Sequence, residues 1–141
     1  MKITLKRLNE NYHFQLENER GHKVELDSKA VSGGDDLAPS PMELLLMGVA
    51  GCSAIDIISI LKKQRQEITD YRAEVDGIRV AIGDATPFKE INVTILLEGN
   101  ISAEKALRAA QLSFEKYCSV SKTLEPTATI SYKVKLNNVE L

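Results

Sequence analysis

SPMELLLMGVAGCSAIDIISIL, Ser40 to Leu61, reads as one long helix with a complete start signal. Ser40 is a natural N-cap, and Pro41 falls at the first helical position, where no amide donor is needed. Glu43, three residues after the cap, is placed to return a hydrogen bond to it, which makes a capping box. From Leu44 to Leu61 the apolar residues go almost all the way round, so the helix asks to be covered on every side. Cys52 sits at its middle between the small residues Gly51, Ser53 and Ala54, which let another segment or a ligand approach the sulfur. The other cysteine, Cys118, lies far along the chain.

Outward from this helix the pattern changes to strands. Ile3 and Leu5 alternate with Lys2, Thr4 and Lys6. Tyr12, Phe14 and Leu16 alternate with His13, Gln15 and Glu17, and Val24 and Leu26 with Lys23, Glu25 and Asp27. Turn residues at Asn9-Glu10-Asn11 and Asn18-Glu19-Arg20-Gly21 join these runs into an antiparallel meander with one wet face. A loop from Ser28 to Pro39 leads to the helix. Beyond it, Lys62, Lys63 and Arg65 complement the C-terminal end of the helix dipole.

A strand then runs from Tyr71 to Ile82. Its inward set passes from Tyr71, Ala73 and Val75 to Ile78, Val80 and Ile82, and the phase slip predicts a bulge at Gly77. Ile91, Val93, Ile95 and Leu97 mark the next strand. Ser102 caps a second helix whose stripe is Leu107, Ala110, Phe114 and Tyr117. A short helix over Ser119–Glu125 stops at Pro126, and Ala128 to Leu136 alternates as a last strand. The expected order is β-β-β, long helix, β-β, helix, β: one α+β domain over 1–141 with largely antiparallel sheets.

Composition removes several classes. A net charge of −2 without a Lys/Arg cluster argues against a nucleic-acid surface. Polar interruptions at Asp56 and Ser59 and the surrounding strands argue against a membrane span. The alternating start has no signal-peptide core, so the expected address is the cytoplasm, where two cysteines are reduced, catalytic or inert rather than a structural bridge. No two of His13, His22, Cys52 and Cys118 have ligand spacing, so no Cys/His metal site is expected. Both histidines fall in the meander, which offers no partner for a hydrolase nucleophile. Asp56, four residues after Cys52, shares its helical face; ionised, it would oppose a thiolate, which favours a structural hydrogen-bonding role. Cys118 stands where a new helix begins, a place that lowers a thiol pKa.

Pro39-Ser40-Pro41-Met42-Glu43 and the helix through Cys52-Ser53, followed much later by Glu115-Lys116-Tyr117-Cys118, resemble the OsmC/Ohr family of osmotically inducible and organic-hydroperoxide-resistance proteins. The resemblance implies an OsmC-like fold with sheets around a long buried central helix, and an intertwined homodimer. It further implies a cysteine peroxidase acting on organic hydroperoxides, with Cys52 as the attacking and Cys118 as the resolving thiol. It implies no bound cofactor, only an external dithiol reductant of the lipoyl type. Two departures stand out. The family's activating glutamate follows the proline directly, where this chain has Met42; Glu43 is one residue later and about 100° round the helix. The family's activating arginine precedes the helix, where Arg20 is the arginine at hand. Cys52, Cys118, Glu43 and Arg20 are therefore the candidate catalytic residues. The alternative is a non-catalytic protein of this fold that binds an apolar small molecule at the dimer interface.

Overall fold

Alternation in the N-terminal residues produces β1 (Ile3–Arg7), β2 (Phe14–Asn18) and β3 (Lys23–Leu26) in a computed structural model that describes every residue from Met1 to Leu141. The strands form an antiparallel sheet in the order β1-β2-β3. Its register sets Leu5 opposite Leu16 and Leu16 opposite Val24, so the apolar residues make one row across the sheet. That row is not dry. Phe14 and Leu16 are half-buried, whereas Ile3, Leu5 and Val24 are 54, 58 and 52 % exposed. The face expected to be covered is open in the single chain.

The loop after β3 is organised by Asp27, a buried carboxylate. It accepts hydrogen bonds from the amides of Ser28 (2.7 Å) and Leu37 (3.1 Å). Burial pushes its carboxyl up, but these amides and the His13 ring outweigh burial and hold it below the usual range. The loop thus returns to start α1 (Pro41–Lys63) at the expected residue. The capping box forms as the sequence predicts. Glu43 Oε2 accepts from the Ser40 amide (2.7 Å) and hydroxyl (2.6 Å), and the Glu43 amide donates to Ser40 Oγ at 3.4 Å.

These elements up to Leu45 make one compact unit, and Leu46–Leu141 make the other. In the second unit α1 buries Val49, Ser53, Ile57 and Leu61, a single stripe of period four. Met47 and Ile55 remain 52 and 72 % exposed. The helix expected to be buried all round is therefore covered on one side by its own chain. It ends with Arg65 in the left-handed region (φ 57), while the Gln66 amide donates to the Leu61 carbonyl and the Arg65 amide to that of Lys62. This is a Schellman closure built without glycine.

The second sheet has the order β4 (Glu67–Arg79), β5 (Phe88–Asn100), β6 (Thr129–Leu136), β7 (Val139–Glu140). The β5–β6 pair is parallel, so the sheet is mixed rather than wholly antiparallel. β5 carries the core through Phe88, Ile91, Val93, Ile95 and Leu97. β4 begins four residues earlier than its alternation implies and stops at Arg79. Ile78, Val80 and Ile82 are exposed rather than inward. The register breaks at Ile78/Arg79 and Ile68/Asp70, not at Gly77, which pairs regularly with Ile91. Glycine is needed at 77 for another reason: a Cβ there would lie 2.4 Å from the Phe88 ring. Asn137 and Asn138, both with positive φ, turn the chain into the short β7 that alternation alone did not reveal.

Between β5 and β6 come α2 (Ala103–Leu112), one π-helical turn (Ser113–Tyr117) and α3 (Ser119–Leu124). Ser102 stands at the N-cap of α2, though its hydroxyl makes no cap bond. The buried stripe of α2 is Ala106, Ala109 and Ala110, which allow close approach, continued by Ser113 and Phe114; Leu107 and Tyr117 face out. The Phe114 and Tyr132 rings stack at 4.7 Å, fastening the π turn to β6.

Candidate active site

Two segments distant in sequence build the site. On α1, Cys52 and Asp56 are one turn apart and share a face. Opposite them, the π turn closes with the Cys118 amide donating to the Ser113 carbonyl at 2.8 Å, the five-residue spacing of a π-helix. Ser113 and Cys118 are both brought to α1 by this turn. The Ser113 hydroxyl donates to Asp56 Oδ2 at 3.2 Å. Cys52 Sγ, Cys118 Sγ and an Asp56 carboxylate oxygen lie within 4.8 Å of one another. Both cysteines are unbridged.

The two thiols differ in environment. Cys52 is half-buried, whereas Cys118 is fully buried. Burial pushes the Cys118 thiol up; hydrogen bonds from the Ser121 hydroxyl (3.1 Å to Sγ) and amide oppose this without overcoming it, and the neighbouring Cys52 adds to the rise. The Ser121 amide at the start of α3 does lower this pKa, as expected, but burial outweighs it and the net direction is upward. Behind Cys52, the Ser53 hydroxyl donates to the carbonyls of Val49 (2.8 Å) and Ala50 (3.1 Å). Burial raises the Tyr71 phenol to about 12; Ser53 lies near enough to offset part of the rise, but the phenol oxygen has no partner at full hydrogen-bond geometry. Beside the cluster, Asp56 also lines a cavity of about 310 Å³ with Ser59, Ile60, Lys63, Gln64, Leu112 and Tyr117.

The structure brings Cys52 and Cys118 together and adds Asp56, Ser113 and Ser121. The other two candidates belong to the N-terminal unit. Glu43 is held in its cap by Ser40, which lowers its carboxyl pKa, with Lys29 Nζ 3.8 Å away as a further cause. Arg20 is an exposed residue of the β2–β3 turn, its amide bonded to Asn18 Oδ1 at 2.9 Å. The i,i+4 pairing of Cys52 and Asp56 was legible in the sequence. Ser113 carried no signal, because its role depends on the π turn and on a contact across more than fifty residues.

Comparison with known proteins agrees with this architecture. The family profile described as OsmC-like protein matches residues 33–133. Protein YhfA of Escherichia coli K12 is 37 % identical over 130 residues, covering 90 % of this chain and 92 % of YhfA. A hypothetical protein from Aquifex aeolicus VF5 shares 30 % identity with a TM-score of 0.78, covering 96 % of each chain. An organic hydroperoxide resistance protein OsmC from Legionella pneumophila superposes with a TM-score of 0.69 at 18 % identity, covering 96 % of this chain and 97 % of its own; at that identity the likeness concerns the fold.

Proposed function

The chain belongs to the OsmC-like protein family, and we propose that it is a thiol-dependent peroxidase that reduces organic hydroperoxides through Cys52 and Cys118. The observation that carries this reading is the pair of unbridged sulfurs within 4.8 Å, one reachable and one sealed. Half-buried Cys52 meets the peroxide. Its thiolate attacks the distal oxygen, the O–O bond breaks, the alkoxide leaves and takes a proton, and Cys52 becomes a sulfenic acid. Cys118, kept as a thiol by burial, then attacks that sulfur, forming the disulfide and releasing water. An external dithiol of the lipoyl type returns two electrons and two protons. The exposed Met47, Gly51 and Ile55 on α1 give an organic leaving group apolar surface near Cys52.

The working unit in this proposal is a cytoplasmic homodimer. Ile3, Leu5 and Val24 on the first sheet and Met47 and Ile55 on α1 are exposed apolar surface, which a second copy of the chain would cover. A second reading rests on a specific observation: Met42 stands at the family's glutamate position and Glu43 is already engaged by Ser40. That favours a binding protein for an apolar small molecule.

The test is a pair of variants treated with tert-butyl hydroperoxide. Cys118→Ser should react and stop at a sulfenic acid or over-oxidise, since no resolving thiol remains. Cys52→Ser should react no faster than a free thiol. Equal, slow oxidation of both variants would leave the binding reading in its place.

A further inference from the structure

Three groups that are acidic or become anionic face one another at the site: two thiols and a carboxylate. None of the chain's ion pairs involves Asp56. Removing both thiol protons would place like charges side by side, which a divalent cation relieves and a second anion does not. The donor set, two sulfurs and one oxygen, is what a borderline-soft d10 ion takes, and it leaves one coordination position open. We propose that the reduced protein binds one Zn²⁺-class ion per chain through Cys52 Sγ, Cys118 Sγ and an Asp56 carboxylate oxygen.

The geometry is near what such a site requires. Tetrahedral coordination at Zn–S of about 2.3 Å sets the sulfurs roughly 3.8 Å apart. The observed limit of 4.8 Å therefore asks for a closure of no more than about 1 Å. Cys52 and Asp56 come from adjacent turns of one helix, which fixes their spacing, and Cys118 arrives from the π turn. Two of the three ligands already have an outer partner. The Ser121 hydroxyl donates to Cys118 Sγ at 3.1 Å, and the Ser113 hydroxyl donates to Asp56 Oδ2 at 3.2 Å. Such donors orient ligands and tune the metal. Full burial of Cys118 keeps water from competing on that side. Binding releases the two thiol protons to solvent as the thiolates form.

Metal and disulfide exclude each other, because oxidation joins the two sulfur ligands to one another. Zn²⁺ would thus guard the reduced pair, and an oxidant would eject it. The site does not rest on the peroxidase reading, since it needs the three donors and no peroxide.

Cobalt is the probe. Co²⁺ added anaerobically to the reduced full-length protein should give a thiolate-to-cobalt charge-transfer band and tetrahedral d–d bands. Both should saturate at one equivalent per chain and bleach on adding Zn²⁺. The disulfide form should give neither. Asp56→Asn should weaken binding by at least the 10–100-fold that loss of an outer-shell partner costs, with its fold checked by circular dichroism. Ser113→Ala, which leaves all three ligands in place, should weaken it less. Absence of the charge-transfer band in reduced wild-type protein would overturn the proposal whatever the variants do. Unchanged affinity in folded Asp56→Asn would overturn the three-donor site in favour of a simple dithiol chelate. Thiol oxidation by hydroperoxide, measured with a chelator present, reports the peroxidase reading separately.

Discussion

Ser121→Ala tests how the buried thiol is held. In the wild-type chain the Ser121 hydroxyl donates to Cys118 Sγ at 3.1 Å, and both residues are fully buried. A hydrogen bond to a charged acceptor is worth about 1.5–3 kcal/mol and one to a neutral acceptor about 1 kcal/mol. The difference favours the thiolate by roughly 1.3 kcal/mol. Removing the hydroxyl should therefore raise the Cys118 pKa further above its already elevated position, because the buried thiolate loses a donor. Below that pKa the thiolate fraction falls about tenfold, but a more basic thiolate is intrinsically the better nucleophile, with a Brønsted slope of about 0.4–0.5. The net effect is a disulfide-forming step slower by roughly three- to fourfold at neutral pH. Stopped-flow mixing with one equivalent of hydroperoxide separates this step from the first attack on Cys52. The pH midpoint for alkylation of Cys118 should move up in the same direction. An unchanged midpoint and an unchanged second step would refute the assignment of Ser121 as the hydroxyl that steadies this sulfur.

Three further outcomes are expected. Glu43→Gln should cost little stability at neutral pH, because glutamine serves in the same capping box. Glu43's folded pKa is depressed, so its contribution is present above the unfolded value and lost as acid takes the pH down through the folded one; acid melts of wild type should show this and those of Glu43→Gln should not. A large activity loss in that variant would give Glu43 the family's glutamate role. Gly77→Ala should destabilise by about 1–3 kcal/mol in urea unfolding, because its Cβ would meet the buried Phe88 ring at 2.4 Å and Leu46 at 3.1 Å; a neutral result would mean that ring moves freely. Sedimentation at micromolar concentration should give a single dimeric species, and a stable monomer would contradict the covering of the open apolar faces.

What the sequence disclosed follows from how local each cause is. Ser40, Pro41 and Glu43 announce the start of α1 because capping involves four consecutive residues. Alternation located β2, β3 and β5 because one face of each strand differs from the other. Gly77 was misjudged: a glycine in a strand marks either a bulge or a close neighbour, and only the position of Phe88 decides. Val80 and Ile82 look inward by pattern, yet no element of the chain covers them. The helix around Cys52 is apolar on all sides by composition, whereas its own chain buries one stripe, Val49, Ser53, Ile57 and Leu61. Cys52 and Asp56 could be paired by helical spacing. Their meeting with Cys118 and Ser113 depends on the π turn, whose extra residue has no signature in side-chain chemistry.

The decisive measurement for the thiol-peroxidase proposal is the intact mass of the wild-type protein after one equivalent of an organic hydroperoxide, taken anaerobically from the fully reduced state. Both thiols should disappear together, the mass should fall by two hydrogens, and a digest should join the peptide of Cys52 to that of Cys118. Thiols that survive excess hydroperoxide, or a mass that rises by one oxygen with Cys118 still free, would contradict it.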